Sequence, residues 1–355
     1  MTQHGLIHGG DLQSASQRYG RPIADWVDLS TGINVYSYPV PEMKPEVWQR
    51  LPYLDPQLVE TAAAYYGNRN LLLAAGSQPV IELLPEILHE QGNQLTALLP
   101  DIGYQEHHQA WRKQGPVATY SGVVDASDEI SARLNEPHIG HLLLINPNNP
   151  TGIQYTLAQI HIWAQQLASK QGYVIIDEAF IDCAPAASVV QENMPDNLVV
   201  LRSFGKFFGL AGVRLGALVA KPAILQHMAG LMGPWSVNGP AQAIATVAYS
   251  DQVWQQAMRT KLATEQAQQL NIWQATFTRL GAQLQANTAL FRSFAMPKTL
   301  AEQLHTKAAN AGILIRPVPV SPSSSLVRLG NIDLTNQSHQ DHCLAWLASL
   351  VNNIG

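Results

Sequence analysis

Three short polar strings carry residue types that could do chemistry together. They are Asn146-Pro147-Asn148-Asn149-Pro150-Thr151-Gly152, Asp177-Glu178-Ala179-Phe180 and Ser203-Phe204-Gly205-Lys206, with Arg214 eight residues beyond the lysine. A lysine amine that is desolvated near other cations loses its proton more readily and becomes a nucleophile. An arginine can grip an anion through two parallel hydrogen bonds. A fourth string, Gly76-Ser77-Gln78, stands just ahead of the apolar pattern Val80–Leu88 and offers backbone donors where a helix begins. Taken singly, an Asn-Pro pair reads as a turn, a lone acid as a helix cap and a lone lysine as a solvated charge. Their order and spacing give them weight.

The elements that must position these strings are legible. Leu95–Leu99, Leu142–Ile145, Tyr173–Ile176, Leu198–Leu201 and Leu215–Ala220 are short, bounded apolar runs and read as strands. Residues Thr156 to Lys170 read as a helix, with a capping-box pattern at Thr156 and Gln159 and an apolar face of Ile160, Trp163, Ala164 and Leu167. Strand–helix alternation implies a mainly parallel sheet covered on both faces, and ligands of such sheets sit beyond the carboxyl ends of the strands. The three polar strings all follow strands. From Asp251 the texture changes to a long Gln- and Ala-rich helix reaching Leu280. Strands follow at Leu290–Phe294, Ile313–Arg316 and Leu326–Leu329, with a helix over Thr299–Gly312. The reading is α/β: a large domain over 45–250, a small α+β domain over 251–355, and an N-terminal segment, 1–44, joining the small domain and the active site.

The chain has 355 residues, 46% of them hydrophobic, and a net charge of -5. No run of one sign offers a footprint for nucleic acid. No apolar stretch is long enough to span a membrane, and Met1 to Gly20 lacks a signal-peptide core, so a cytoplasmic location is expected. Cys183 and Cys343 read as buried thiols in a reducing compartment. His107, His108, His339 and His342 fall in no metal-binding spacing and read as helix surface residues, so no metal site is expected. No GxGxxG opens a helix after a strand, which sets aside a Rossmann nucleotide enzyme.

From about Asp25 to Leu329 the sequence resembles the aspartate aminotransferase superfamily, fold type I of the pyridoxal phosphate enzymes. The resemblance implies that Lys206 binds pyridoxal phosphate covalently and moves protons at the substrate Cα. It implies that Asp177 pairs with the pyridine nitrogen, that Asn149 donates to the ring oxygen, and that Ser77, Gln78, Ser203 and Arg214 hold the cofactor phosphate. Tyr53 resembles the tyrosine that reaches that phosphate from the other subunit, implying a homodimer. The ring-covering residue lies in Pro100-Asp101-Ile102-Gly103-Tyr104. Strict spacing gives Ile102, whereas Tyr104 is the better stacker. Phe180 departs from the tyrosine common there and removes a donor to the ring oxygen.

Arg328, in Val327-Arg328-Leu329-Gly330, resembles the arginine that grips the substrate carboxylate; otherwise it is a surface strand residue. His8-Gly9-Gly10 and Asp28-Leu29-Ser30-Thr31-Gly32-Ile33-Asn34 resemble the threonine-phosphate decarboxylases of cobalamin biosynthesis, although Val35 stands where those relatives have proline. That branch implies decarboxylation of L-threonine O-3-phosphate to (R)-1-amino-2-propanol O-2-phosphate. It makes His8, Gly9, Gly10, Gly32, Asn34 and Asn149 substrate-binding candidates beside Arg328. Two other readings stand: an aminotransferase of histidinol-phosphate type, and a non-catalytic binding protein on the same fold.

Overall fold

A computed structural model describes residues 8–90 and 95–352. They form two compact units. One comprises Ser37–Asn149 and Ile153–Ala257; the other comprises the described residues up to Tyr36, Pro150–Gly152, and those from Met258 onward.

The first unit is built on seven strands: β1 (Leu71–Ala74), β2 (Thr96–Pro100), β3 (Val117–Tyr120), β4 (Ile139–Ile145), β5 (Tyr173–Asp177), β6 (Leu198–Ser203) and β7 (Gly216–Val219). Their spatial order is β1-β7-β6-β5-β4-β2-β3. All neighbours pair in parallel except β7, which runs antiparallel to both β1 and β6. β4 and β5 are buried at every position, which explains why they read as continuous apolar runs rather than alternating ones. β1 and β3 were not legible in the sequence, because each has only four residues and is only partly buried. The helix Leu157–Ala168 carries the expected capping box between Thr156 and Gln159 and buries the four predicted apolar residues.

The register aligns the strand ends. Ile145 is the partner of Asp177, Asp177 of Leu201, Ser203 of Gly216, and Gly216 of Ala74. Because β7 is reversed, its first residue lies beside the last residues of β1 and β6. Arg214 therefore arrives at the same edge that Gly76, Asp177 and Ser203 leave.

The second unit has a four-stranded antiparallel sheet in the order Arg316–Pro319, Ser324–Gly330, Phe291–Pro297, Gln283–Asn287. A two-residue parallel ladder joins Val27–Asp28 to Ile313–Leu314. Trp273, Phe277, Phe294, Leu329 and Trp346 are central to its core. The helices Gln252–Arg279 and Lys298–Asn310 match the predicted ones within two residues.

Two assignments need correction. His107 and His108 are buried, because the helix Glu106–Arg112 turns that face inward. Cys343 is buried, but Cys183 is only partly so. Among the described residues no helix is long and apolar enough to cross a membrane, and no group of three or more His, Cys, Asp or Glu could hold a metal ion.

Candidate active site

Lys206 sits in a one-turn helix, Phe204–Phe207, directly after β6. Phe204 and Phe207 point into the core, and a Cβ on Gly205 would stand 2.6 Å from Ala211 Cα. Lys206 is left as the partly exposed residue of that turn, with its Nζ 5.6 Å from the centre of the Phe180 ring. Arg214 is held in the left-handed region (φ 56) and its guanidinium lies over Gly76: a Cβ there would come within 2.5 Å of Nη2. Gly76 itself has φ +81. A Cβ on Gly216 would stand 2.9 Å from Ser77 N, so backbone packs on backbone at this corner. The result is an arginine, a serine hydroxyl at Ser203 and the amides ahead of the helix Gln78–Glu90, all at one end of the sheet.

Asp177 ends β5 and is buried. Its Oδ1 accepts from the amide of Ala179 at 3.0 Å, and its Oδ2 lies 3.0 Å from Nε2 of buried His107. His107 is a functional candidate that its sequence neighbourhood did not reveal. Its only signal was its place one helical turn after Tyr104, on the strand-end loop already singled out. Tyr104 packs edge-on against His107, with ring centres 6.2 Å apart, and its hydroxyl donates to Gln78 Oε1 at 3.2 Å. Burial first, then the nearby charges of Glu106 and Asp177, push the Tyr104 phenol up to about 12, with Arg214 opposing. Tyr104 thus stands among Asp177, Arg214 and Gln78. Ile102 instead braces the surrounding loops. Its carbonyl accepts from Asn148 Nδ2 at 2.8 Å, and its backbone packs where a Cβ on Gly122 would go.

The turn carrying Asn149 is tied down on both sides. Asn146 exchanges two hydrogen bonds with the backbone of Tyr155, and Asn148 N donates to Ile153 O at 2.7 Å. Asn149 is partly buried. Tyr53 is 74% exposed, its ring edge-on to Trp235 at 6.0 Å.

In the second unit, Arg328 is buried on the strand Ser324–Gly330, which overturns the reading of it as a surface strand residue. Its guanidinium donates to the carbonyl of Ser30 and lies 5.9 Å from the ring centre of Phe291. Its Cα partner on the neighbouring strand is Arg316, a second arginine that nothing in the local sequence marks out. Burial first, then Arg316, pulls the Arg328 guanidinium down to about 10, while Asp28 opposes this. Gly9 packs on Ser30 so tightly that a Cβ would come within 2.1 Å of Ser30 O and 3.3 Å of Arg328 Nη2. The amide of Gly10 donates to Ser30 Oγ at 2.7 Å, and Ser30 in turn donates to Asp28. His8 is exposed, Gly32 and Asn34 are buried, and Asn34 Oδ1 accepts from the amide of Tyr36. The predicted substrate residues Gly9, Gly10 and Arg328 thus meet around Ser30.

Residues 32–335 match the model of the family described as aminotransferase class I and II. The chain belongs to the aminotransferase class I and II family. It is 38% identical to the threonine-phosphate decarboxylase of Pseudomonas aeruginosa, across 88% of this chain and 89% of that one. It is 38% identical to a threonine-phosphate decarboxylase of Sinorhizobium sp, across 68% of this chain and 70% of that one. The histidinol-phosphate aminotransferase of Sinorhizobium meliloti, solved in complex with pyridoxal-5'-phosphate, covers both chains completely with a TM-score of 0.75 at 17% identity, which is a likeness of fold. Within this aminotransferase family frame, the strand-end polar strings and the reversed seventh strand are one construction. The reversal is what lets a single short loop bring Arg214 back to Gly76.

Proposed function

We propose that the chain is a pyridoxal phosphate-dependent decarboxylase acting on L-threonine O-3-phosphate, releasing CO2 and (R)-1-amino-2-propanol O-2-phosphate. The residues at the sheet edge suit the cofactor in chemical kind. Lys206 supplies an amine for its carbonyl, Asp177 a carboxylate for its ring nitrogen, and Ser77, Gln78, Ser203 and Arg214 donors for its phosphate. When bound, pyridoxal phosphate supplies a ring that takes up the electron pair left at Cα as a bond there breaks.

The chain's own residues do the rest. Asp177 keeps a proton on the ring nitrogen, and His107 holds Asp177 in line for it. Asn149 donates to the ring oxygen, alone of the usual pair because Phe180 has no hydroxyl. Tyr104 covers the ring. Arg328 would hold the substrate carboxylate and so select which bond at Cα is placed to break. Lys206 then delivers a proton to Cα. Arg316, His8 and the Gly9 amide take the substrate phosphate, with Gly10, Gly32 and Asn34 lining the same place.

The observation that carries this reading is the Arg316–Arg328 pair, Cα partners on adjacent strands, with Arg328 buried and Arg316 half-buried. Two adjacent cations call for a substrate with two anionic groups, and threonine phosphate has a carboxylate and a phosphate. The likeness to two threonine-phosphate decarboxylases across most of the chain supports it. Tyr53 completes the neighbouring subunit's phosphate site, making the enzyme a homodimer. The enzyme is cytoplasmic, and its product becomes the amino-alcohol linker of cobalamin.

The test is a product assay with threonine phosphate and histidinol phosphate side by side. Release of CO2 from threonine phosphate without any 2-oxo acid is expected. Strict dependence on a 2-oxo acid would establish the aminotransferase reading instead. A protein that gains no visible, borohydride-discharged colour with pyridoxal phosphate would establish the binding-protein reading.

A further inference from the structure

Ser293 has no part in the roles above. It is fully buried in the strand Phe291–Pro297, and its Oγ donates to the carbonyl of Pro150 at 2.7 Å. Pro150 directly follows Asn149 in the chain. Two residues on, Gly152 (φ +71) leaves no room for a side chain: a Cβ there would stand 2.8 Å from the Cβ of Ala286. Ala286 and Arg328 are the Cα partners of Ser293 on its two neighbouring strands, and Arg316 is the partner of Arg328. Ala286, Ser293, Arg328 and Arg316 therefore form one row across the four-stranded sheet. Residues directly opposite one another in such a row present their side chains on the same face. That face seats the Pro150–Gly152 turn at one end of the row and carries both arginines at the other.

We propose that Ser293 is a positioning residue that holds the Pro150–Gly152 turn and, through the chain bond to Pro150, fixes the conformation of Asn149. The inference rests on the cofactor and substrate reading above. Its physical basis is a buried carbonyl that keeps its place only while a donor faces it. The Ser293 hydroxyl is that donor for the Pro150 carbonyl. Without it, the turn slides on Ala286, and Asn149 donates less well to an anionic ring oxygen.

The experiment uses the cofactor-loaded protein as Ser293→Ala and Ser293→Cys. Ser131→Ala serves as control, because Ser131 Oγ also donates to a carbonyl at 2.7 Å, that of Ser127. Two readouts are taken: the pH midpoint of the visible absorbance change, and kcat and KM for CO2 release. Ser293→Ala is expected to raise the pH midpoint, since the ring oxygen loses part of its donor. It is also expected to lower kcat about fivefold with a smaller change in KM, the scale of one hydrogen bond. Ser293→Cys, a weaker donor of similar size, falls between, and Ser131→Ala leaves both readouts at the wild-type value. An unchanged midpoint and kcat in Ser293→Ala, or the same change in Ser131→Ala, would overturn the proposal. Should the alanine variant fail to fold, the cysteine variant decides by the same criteria. If the wild-type protein releases no CO2, the decarboxylase reading fails, and the absorbance midpoint still decides the role of Ser293.

Discussion

A methyl group on Gly76 would collide with the guanidinium of Arg214, and the backbone there (φ +81) disfavours any side chain. Gly76→Ala is therefore expected to destabilise the fold by about 1–3 kcal/mol. It should also weaken pyridoxal phosphate binding about tenfold or more, because Arg214 must move. Thermal unfolding and an equilibrium titration with the cofactor measure the two effects separately. A second residue-scale prediction concerns His107. Its Nε2 donates to the Asp177 carboxylate in a buried setting, where a hydrogen bond to a charged group is worth about 1.5–3 kcal/mol. His107→Leu should lower kcat by about tenfold or more while the protein stays folded; wild-type turnover would refute the role. The contrast between these residues shows what the sequence could yield. Lys206, Asp177 and Arg214 stand at strand ends with distinctive neighbours. His107 and Arg316 draw their meaning from tertiary partners, Asp177 and Arg328, that lie 70 and 12 residues away. No local pattern carries such a signal.

At the scale of elements, the residues alternating with the site residues do a separate job. Glu178 follows Asp177, and Arg202 precedes Ser203. Both side chains are buried, and they meet in one network. Arg202 donates to Glu178 at 3.2 Å, to Ser188 at 3.0 Å and also to Asp182, and its guanidinium lies 4.7 Å from the ring centre of Tyr66. Burial raises the Glu178 carboxyl above its ordinary range, with Arg202 pulling it back down. The network pins the ends of β5 and β6, the strands that present Asp177 and Lys206. Arg202→Met leaves two buried carboxylates without their cation, a change that costs about 3–5 kcal/mol. A urea denaturation midpoint near that of wild type would refute the assignment. The strands themselves were legible where they are long and buried on both faces, as β4 and β5 are. β1 and β3 were missed because four half-covered residues carry no period. The capping box at Thr156 shows the opposite case, a local signal sufficient by itself.

For the whole molecule, alkaline pH and subunit association give the last two predictions. Burial raises the phenols of Tyr66, Tyr104, Tyr120 and Tyr249, that of Tyr104 to about 12. The unfolded chain loses these protons near pH 10, so it binds fewer protons than the folded one above that pH. Stability is therefore fully present below about pH 10 and falls as pH rises toward 12. Thermal unfolding at pH 9 and pH 11 should show the drop; an unchanged midpoint would refute it. Association is argued from the surface. Trp48, Leu51, Tyr53 and Leu54 are exposed along one segment, and Trp235, also exposed, packs on Tyr53. The segment is not loose: Gln242 donates to Pro52 O and accepts from the amide of Asp55. A rigid, exposed aromatic patch of this kind marks an interaction surface. The chain has a mass of 38.8 kDa, and sedimentation of the wild-type protein should give twice that value. Tyr53→Asp combined with Trp235→Asp should return it to the single mass and weaken cofactor binding with it. Tyr53→Phe separates the two roles of this residue. It keeps the apolar ring that the proposed dimer would bury but removes the hydroxyl proposed to reach the neighbour's phosphate, so on that proposal cofactor affinity should fall about fivefold. A phenylalanine variant with wild-type affinity would confine Tyr53 to subunit contact.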